Sequence, residues 1–168
     1  MIRKFTLLAL FMCLFISPGN AQGDKFKALF IFNFTKYIEW SGDYKNGDFV
    51  IAVLGNSDVF SSLQSIAQTK TVGSQPIKVI KINAINEASK CNMIYITPSK
   101  SGDISSITEK FANTNTLVVT DDPNACSKGA CINLVLVEGK QKFEISKGNI
   151  QKQNLKVSAG LLNLGIVL

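Results

Sequence analysis

Apolar residues recur along the chain with two different spacings. Over residues 25–40 they return every three or four positions, which predicts a helix that is buried on more than one face. An unbroken apolar run at residues 49–54 is typical of a buried strand, and Gly55 ends it. Shorter apolar or alternating runs predict four further strands, over residues 76–82, 93–96, 116–120 and 131–138.

The segments between these strands carry helix and turn signals. Asn56-Ser57-Asp58 can cap a helix that runs to about Gln68. The turn at Glu138-Gly139 leads into residues 141–145, which predicts an antiparallel hairpin with the preceding strand. Three further helices are predicted over residues 103–111, 146–153 and 157–165. This alternation predicts an α/β fold: a single layered domain with a mixed, mostly parallel sheet, flanking helices and a C-terminal antiparallel hairpin.

The first 21 residues have the layout of a secretory signal peptide. Arg3 and Lys4 form a short positive segment, and residues 5–16 are apolar apart from Thr6. Small residues precede the bond between Ala21 and Gln22, where we expect cleavage. The apolar run is shorter than the roughly 20 residues that a membrane-spanning helix needs. The sequence therefore predicts an exported protein with one mature domain over residues 22–168.

Composition argues against most catalytic chemistry. The 168 residues include no histidine, and the single arginine, Arg3, lies in the expected signal peptide. The mature chain would therefore lack both an imidazole for acid–base catalysis and a guanidinium for bidentate phosphate binding. Its net charge falls from +6 to +4, and its 16 lysines are scattered, which favours a solvated basic face over nucleic-acid binding. We expect neither enzymatic activity nor a cofactor.

Three cysteines follow residue 21. Cys126 and Cys131 lie in a loop rich in turn-forming residues, and in an oxidising compartment a local disulfide between them is predicted. Zinc is the alternative, but three cysteines without histidine do not complete the usual four ligands, so we predict no metal site. Cys91 adjoins an apolar strand and is expected to be a small buried side chain, with an intermolecular disulfide as the alternative.

Two loops at predicted strand ends are candidates for ligand binding. Gly55 and Asn56 could present backbone N–H groups to an anion, although an ordinary helix cap is the simpler explanation. Asp121 and Asp122 could bind a cation, although turn formation before Pro123 explains them more simply. A crevice between the two loops is where a small-molecule sensor of this fold class would bind its ligand.

An aromatic flank of the first predicted helix is the candidate site for a partner protein. Phe34, Tyr37 and Trp40 follow one another at three-residue spacing, so on a helix they would share one flank. Packing explains Trp40 most simply, but tryptophan is also enriched in the hot spots of protein interfaces. Because the helix is apolar on more than one face, we predict that these three residues contact a partner.

Segments spread over the mature chain resemble the YfiR-like family of periplasmic proteins. The similarity begins directly after the signal peptide with KALFIFNFTKYIEW at residues 27–40. Further similar segments follow in order, at residues 49–55, 91–96, 118–121, 131–136, 143–145 and 155–162. The resemblance covers almost the whole mature chain, and its specificity comes from the ordered set rather than from one motif.

The resemblance implies a regulator. Such proteins bind the periplasmic part of an inner-membrane diguanylate cyclase and hold it inactive, and their release raises cyclic di-GMP and favours biofilm formation. It also implies a homodimer, an outer-membrane lipoprotein as a second partner, and a disulfide between Cys126 and Cys131. Cys91 matches one half of a second family disulfide whose other cysteine is absent from this chain. A periplasmic small-molecule sensor is the alternative function.

Overall fold

A sheet of eight strands organises residues 19–168, the part of the chain that this computed structural model describes. The strands of the chain are β1 (Ile38–Glu39), β2 (Phe49–Leu54), β3 (Thr71–Val72), β4 (Gln75–Ile82), β5 (Met93–Ile96), β6 (Leu117–Thr120), β7 (Ile132–Val137), β8 (Lys140–Ile145), β9 (Lys156–Val157) and β10 (Ile166–Val167). The α-helices are α1 (Gly19–Phe34), α2 (Val59–Ala67), α3 (Ile104–Lys110), α4 (Lys147–Lys152) and α5 (Ala159–Leu164). Short 3-10 helices occupy Gly42–Lys45, Ile85–Glu87, Pro98–Asp103 and Ala125–Lys128.

The strand order of the sheet is β3-β4-β2-β5-β6-β7-β8-β10. Strands β4, β2, β5, β6 and β7 are parallel, whereas β7 and β8 form an antiparallel hairpin. The predicted α/β class, with a mostly parallel sheet and a C-terminal antiparallel pair, is therefore confirmed. The connection that leaves β2 leads towards β4, whereas the connection that leaves β5 leads towards β6 on the other side. The two connections therefore diverge at the carboxyl ends of β2 and β5, where folds of this class commonly bind ligands.

Local sequence accounts for the central strands and for the hairpin. Strands β5 and β6 are buried along their whole length, which is why they are apolar runs, apart from the final Thr120 of β6, rather than alternating ones. Glu138 and Gly139 both have positive φ angles, 52° and 72°, as a two-residue type I′ turn requires. That turn matches the right-handed twist of β7 and β8, so the hairpin forms where the sequence predicts it.

The first helix begins and ends six residues earlier than its apolar pattern predicts. It ends at Phe34, and the chain turns through Tyr37 into β1, so the predicted helix end at residue 40 is wrong. In β1, Ile38 pairs with Val157 of β9, and the Tyr37 carbonyl accepts a hydrogen bond from the Ser158 N–H. These backbone bonds to the C-terminal region replace the helical ones. Residues 34, 37 and 40 consequently do not share one helix flank.

Candidate functional site

An apolar cleft of about 440 Å³ lies between α1 and α5. One wall comes from α1 and the other from α5, while β8 contributes the ring of Phe143. The apolar residues that line the cleft are Phe26, Leu29, Phe30, Phe34, Tyr37, Phe143, Leu161 and Leu164. The Phe143 ring packs edge-on against Phe30 and Phe34, with centroids 6.0 and 5.1 Å away, so the aromatic part of the cleft is held in place by its own contacts.

Large apolar side chains remain open to solvent at the mouth of this cleft. Phe26 and Leu29 of α1 are 48% and 46% exposed, and Leu164 of α5 is 65% exposed. The opposite face of α1 is buried through Ala28 and Ile31. The helix is thus apolar on two faces, as its sequence predicts, but residues 19–168 cover only one of them. Exposed apolar side chains that lie together in this way are typical of protein contact surfaces.

Gly165 positions α5 against the cleft. A Cβ atom at this residue would lie 2.4 Å from the Phe143 ring, closer than side-chain carbons approach one another. Glycine therefore lets the end of α5 rest on the ring and fixes Leu164 at the rim of the cleft. The glycine is needed here for close approach of the backbone.

The structure brings together two of the three predicted partner-binding residues. Phe34 and Tyr37 both line the cleft, Tyr37 half-buried and Phe34 only 1% exposed, whereas Trp40 lies outside the cleft and is buried in the core at 5% exposure. Helix α1 nevertheless carries an exposed stripe, one turn or more nearer its start, at Phe26 and Leu29. Assigning the apolar residues of α1 to two separate helix faces would have located this exposed stripe from the sequence.

Trp40 belongs to the packing of the sheet. Its ring lies edge-on to Phe49 with centroids 4.9 Å apart, and its Nε1–H donates a 3.0 Å hydrogen bond to the Asn92 carbonyl. The Asn92 side chain in turn accepts from the Val50 N–H and donates to the Tyr44 carbonyl, each at 2.9 Å. Both the apolar ring and the polar nitrogen of Trp40 are satisfied inside the fold, which favours the packing explanation.

A polar cluster ties α1 to the carboxyl edge of the sheet. Lys27 donates to Asp121 at 2.5 Å and lies 3.5 Å from Asp24, one turn earlier on the helix. Ser57, which follows β2, donates to Asp24 at 3.3 Å. We call Lys27 and Asp121 the α1 clamp, because the pair joins the helix that carries the cleft to the end of β6. Asp121 thus acts as an ion-pair partner and Asp122 likewise pairs with Lys128, at 3.3 Å.

Burial and neighbouring carboxylates change the pKa values of two residues in and beside this cluster. Desolvation alone would lower the pKa of Lys27, but the hydrogen bond and charge of Asp121, together with Asp24, outweigh it and raise that pKa. Burial and then the neighbouring carboxylates raise the pKa of Tyr95, whose hydroxyl stays neutral. Among the described residues, the Tyr95 hydroxyl and Asp121 Oδ1 have no hydrogen-bond partner. The α1 clamp is therefore held by charge in a region where some buried oxygen atoms have no hydrogen-bond partner among the described residues.

The two predicted ligand loops do not line one cavity. Asp121 borders a cavity of about 370 Å³ beside β7 that also contacts Asn133 and Glu144, whereas Asn56 borders a different one. Gly55 packs closely against Thr97: a Cβ at residue 55 would lie 2.2 Å from the Thr97 hydroxyl oxygen. Within residues 19–168, no group of three or more Asp, Glu, Cys or His is arranged to hold a metal ion.

A family model matches residues 24–166, from the first half of α1 to β10. It spans both walls of the cleft and both members of the α1 clamp. The chain belongs to the YfiR/HmsC-like family. The resemblance predicted from the sequence is thereby confirmed. No curated protein matches the chain. In the part of this YfiR/HmsC-like protein that the structure describes, no helix has the length and hydropathy to cross a membrane.

The three cysteines of this YfiR/HmsC-like chain that follow residue 21 are buried free thiols in the structure. Burial raises the pKa of Cys91, Cys126 and Cys131 to about 12 each. The Asn149 side chain closes the loop between the last two by donating to the Cys126 and Ala130 carbonyls, both at 2.8 Å. The disulfide between Cys126 and Cys131 stays a prediction for the exported protein.

Thiol counting tests that disulfide. For oxidised protein that begins at Gln22, we expect almost no reaction with a thiol reagent at pH 8, because the remaining thiol, Cys91, is buried and its raised pKa suppresses the reactive thiolate. After unfolding in denaturant without reductant, one thiol per chain should react, that of Cys91. The control is the same protein reduced before unfolding, which should show three. Three reactive thiols in both samples would contradict the disulfide.

Proposed function

We propose that this protein is a periplasmic regulator that holds an inner-membrane diguanylate cyclase inactive by direct contact through the α1–α5 cleft. The observation that carries the proposal is the open apolar cleft in a chain of the YfiR/HmsC-like family. That family resemblance implies inhibition of such a cyclase, and inhibition by contact requires an accessible surface. Exposed Phe26, Leu29 and Leu164 supply apolar anchors of the kind that dominate protein binding energies.

The cleft is better suited to contact than to chemistry. Its polar lining consists of Asn33 and Lys36, which pair with each other at 2.8 Å. An amide and an ammonium group provide neither a nucleophile with an adjacent base nor a carboxylate pair. The anchors instead project from two helices, Phe26 and Leu29 from α1 and Leu164 from α5, and the α1 clamp and Phe143 hold α1 against the sheet. Such a surface is pre-organised, which lowers the entropy cost of binding.

Export forms part of the same proposal. Residues 1–18 lie outside the described part of the chain, so the predicted signal peptide rests on its sequence pattern. Cleavage after Ala21 would remove only the first three residues of α1 and would leave Asp24, Lys27 and Phe26 in place. We further propose that the mature protein forms a homodimer and that an outer-membrane lipoprotein can sequester it, as the family resemblance implies.

The cavity beside β7 supports small-molecule sensing as a second candidate function. Buried oxygens of Asp121 and Asn133, both lining residues, have no hydrogen-bond partner among residues 19–168. A small ligand that donates hydrogen bonds could satisfy them. A concentration-dependent rise in melting temperature with such a ligand would favour this function, because a ligand that binds only the folded state stabilises it.

Crosslinking from the cleft tests the regulator proposal. A photoreactive amino acid at position 29 in the producing cells should crosslink to one inner-membrane diguanylate cyclase. Leu29→Asp should raise cellular cyclic di-GMP to the level found when the protein is deleted, because a charge at an apolar anchor opposes docking. The protein should still accumulate and melt normally, since residue 29 is about half exposed.

A matched control comes from an exposed leucine outside the cleft. Leu136 on β7 is 73% exposed, so a photoreactive residue there should give no cyclase adduct, and Leu136→Asp should leave cyclic di-GMP at the wild-type level. Equal crosslinking from positions 29 and 136, or unchanged cyclic di-GMP in the folded Leu29→Asp protein, would contradict the proposal.

A further inference from the structure

Charge is distributed unequally around the α1–α5 cleft. Among residues 19–168, Lys36 is the only charged residue that lines it, and Lys25 is the only one that lines the adjoining cavity on the other side of Leu29. The nearest carboxylate on α1, Asp24, is turned towards Lys27 and Ser57 at the sheet edge. Within residues 19–168, the lining of these two cavities therefore carries positive charge and no carboxylate.

The two lysines bracket the apolar stripe of α1. Lys25 lies in the first half of α1, and Lys36 lies two positions after α1 ends at Phe34. Phe26 and Leu29 lie between them, at the spacing that places residues on one helix face. Lys36 is held at the rim because its ammonium donates to Asn33, and it retains donors for another acceptor. An apolar strip with a cation near each end is the result.

The walls of the cleft favour a helical occupant over an extended one. Both walls are helices, and the interior backbone groups of the longer one, α1, are engaged in its own hydrogen bonds, so an added strand would gain few backbone hydrogen bonds along that wall. Side chains supply the contacts instead. A helix presents apolar side chains at i, i+3, i+4 and i+7 along one face, which suits a cleft between two helices.

We propose that the cleft binds an amphipathic helix of the partner, with apolar residues against Phe26, Leu29 and Leu164 and acidic residues that pair with Lys25 and Lys36. The inference rests on the proposed function and specifies the part of the partner that is recognised. The apolar contacts supply most of the affinity. The two ion pairs select acidic sequences and speed association at low salt, because exposed charge pairs act mainly on specificity and on-rate.

Two synthetic helical peptides serve as probes. Both carry leucine at i, i+3, i+4 and i+7, but one has glutamate at each end of the apolar face and the other has lysine there. Fluorescence anisotropy with the whole chain from Gln22 onward should show at least tenfold tighter binding of the acidic peptide at low salt. The difference should shrink as salt is added, because the Debye length falls to about 8 Å at 0.15 M.

Variants of the protein assign the effect to the cleft. Lys25→Glu with Lys36→Glu should reverse the preference between the peptides, whereas Leu164→Ser should weaken both about equally. The matched control, Lys140→Glu with Lys142→Glu, makes the same change in net charge on the exposed hairpin and should keep the preference for the acidic peptide. All substituted side chains are exposed, so each variant should retain the parental melting temperature.

Three outcomes would overturn the proposal: equal binding of both peptides, no binding of either, or loss of the preference in the hairpin control. Binding to phosphatidylglycerol vesicles that depends on Lys25 and Lys36, without a peptide preference, would also overturn it and indicate a lipid surface. These results are separable from the proposed function. A crosslink from position 29 to the cyclase without a peptide preference would support the proposed regulator function and contradict the proposal that an acidic helix is the bound segment.

Discussion

Trp40→Ala is expected to lower the free energy of unfolding by about 3–5 kcal/mol, the usual cost of removing a large buried aromatic side chain. The substitution empties the space beside the Phe49 ring and leaves the Asn92 carbonyl without its indole donor. Urea denaturation followed by circular dichroism measures the change. Because a typical domain is stable by only 5–15 kcal/mol, part of the population should be unfolded at 37 °C.

Tyr37→Ala is the control for this prediction. Tyr37 is half-buried and lines the cleft, so its removal should cost less stability than that of Trp40 and should weaken the partner contact instead. If Trp40→Ala left the unfolding free energy within 1 kcal/mol of wild type but abolished cyclase binding, Trp40 would be a surface anchor and the packing interpretation would be wrong.

Asp121→Ala is expected to cost about 3 kcal/mol of unfolding free energy, near the lower end of the cost of breaking a buried ion pair. The Asp121 side chain is 7% exposed, and its loss strands the Lys27 ammonium, whose side chain is 23% exposed and keeps only Asp24. The lower end applies because water reaches the lysine. The same denaturation experiment measures the loss.

The double variant Lys27→Met with Asp121→Leu separates charge from packing. Apolar side chains of similar size can replace a buried ion pair at little cost, so this protein should be closer in stability to wild type than Asp121→Ala. A double variant that is less stable than the single one would mean that the pair contributes more than the desolvation of its charges costs.

Six of the eight strands of the sheet could be predicted from the sequence because their determinants are local, whereas the two-residue edge strands β3 and β10 could not. Strand β5 and residues 117–119 of β6 are continuous apolar runs because both faces are covered, and Glu138-Gly139 encodes its own turn. The end of α1 could not be predicted in the same way. Ile38 and Trp40 continue the apolar pattern because they pack into the same core, although the backbone has already left the helix to pair with β9. The apolar periodicity indicates which residues are buried, but it does not show where the backbone exchanges helical hydrogen bonds for those of a strand.

The candidate site depended on contacts that local patterns do not contain. The apolar stripe of α1 is visible in the sequence, but whether Phe26 or Phe34 faces solvent is decided by Phe143, more than a hundred residues away. The α1 clamp likewise joins residues 94 positions apart. Asp121 therefore looked like a turn residue or a cation ligand, and its lysine partner could not be inferred from spacing.

That separation also fixes when the cleft can exist. A chain that is made and delivered from its N-terminus presents α1 first, but Asp121, Phe143 and Leu164 follow 94 or more positions after Lys27. Contacts over such distances must close long loops, so they form late in folding. Nascent or truncated chains then display an apolar helix without its second wall. Under the proposed function, only a completely delivered and folded molecule would present the docking surface to the cyclase, and regulation would then depend on the quality of secretion.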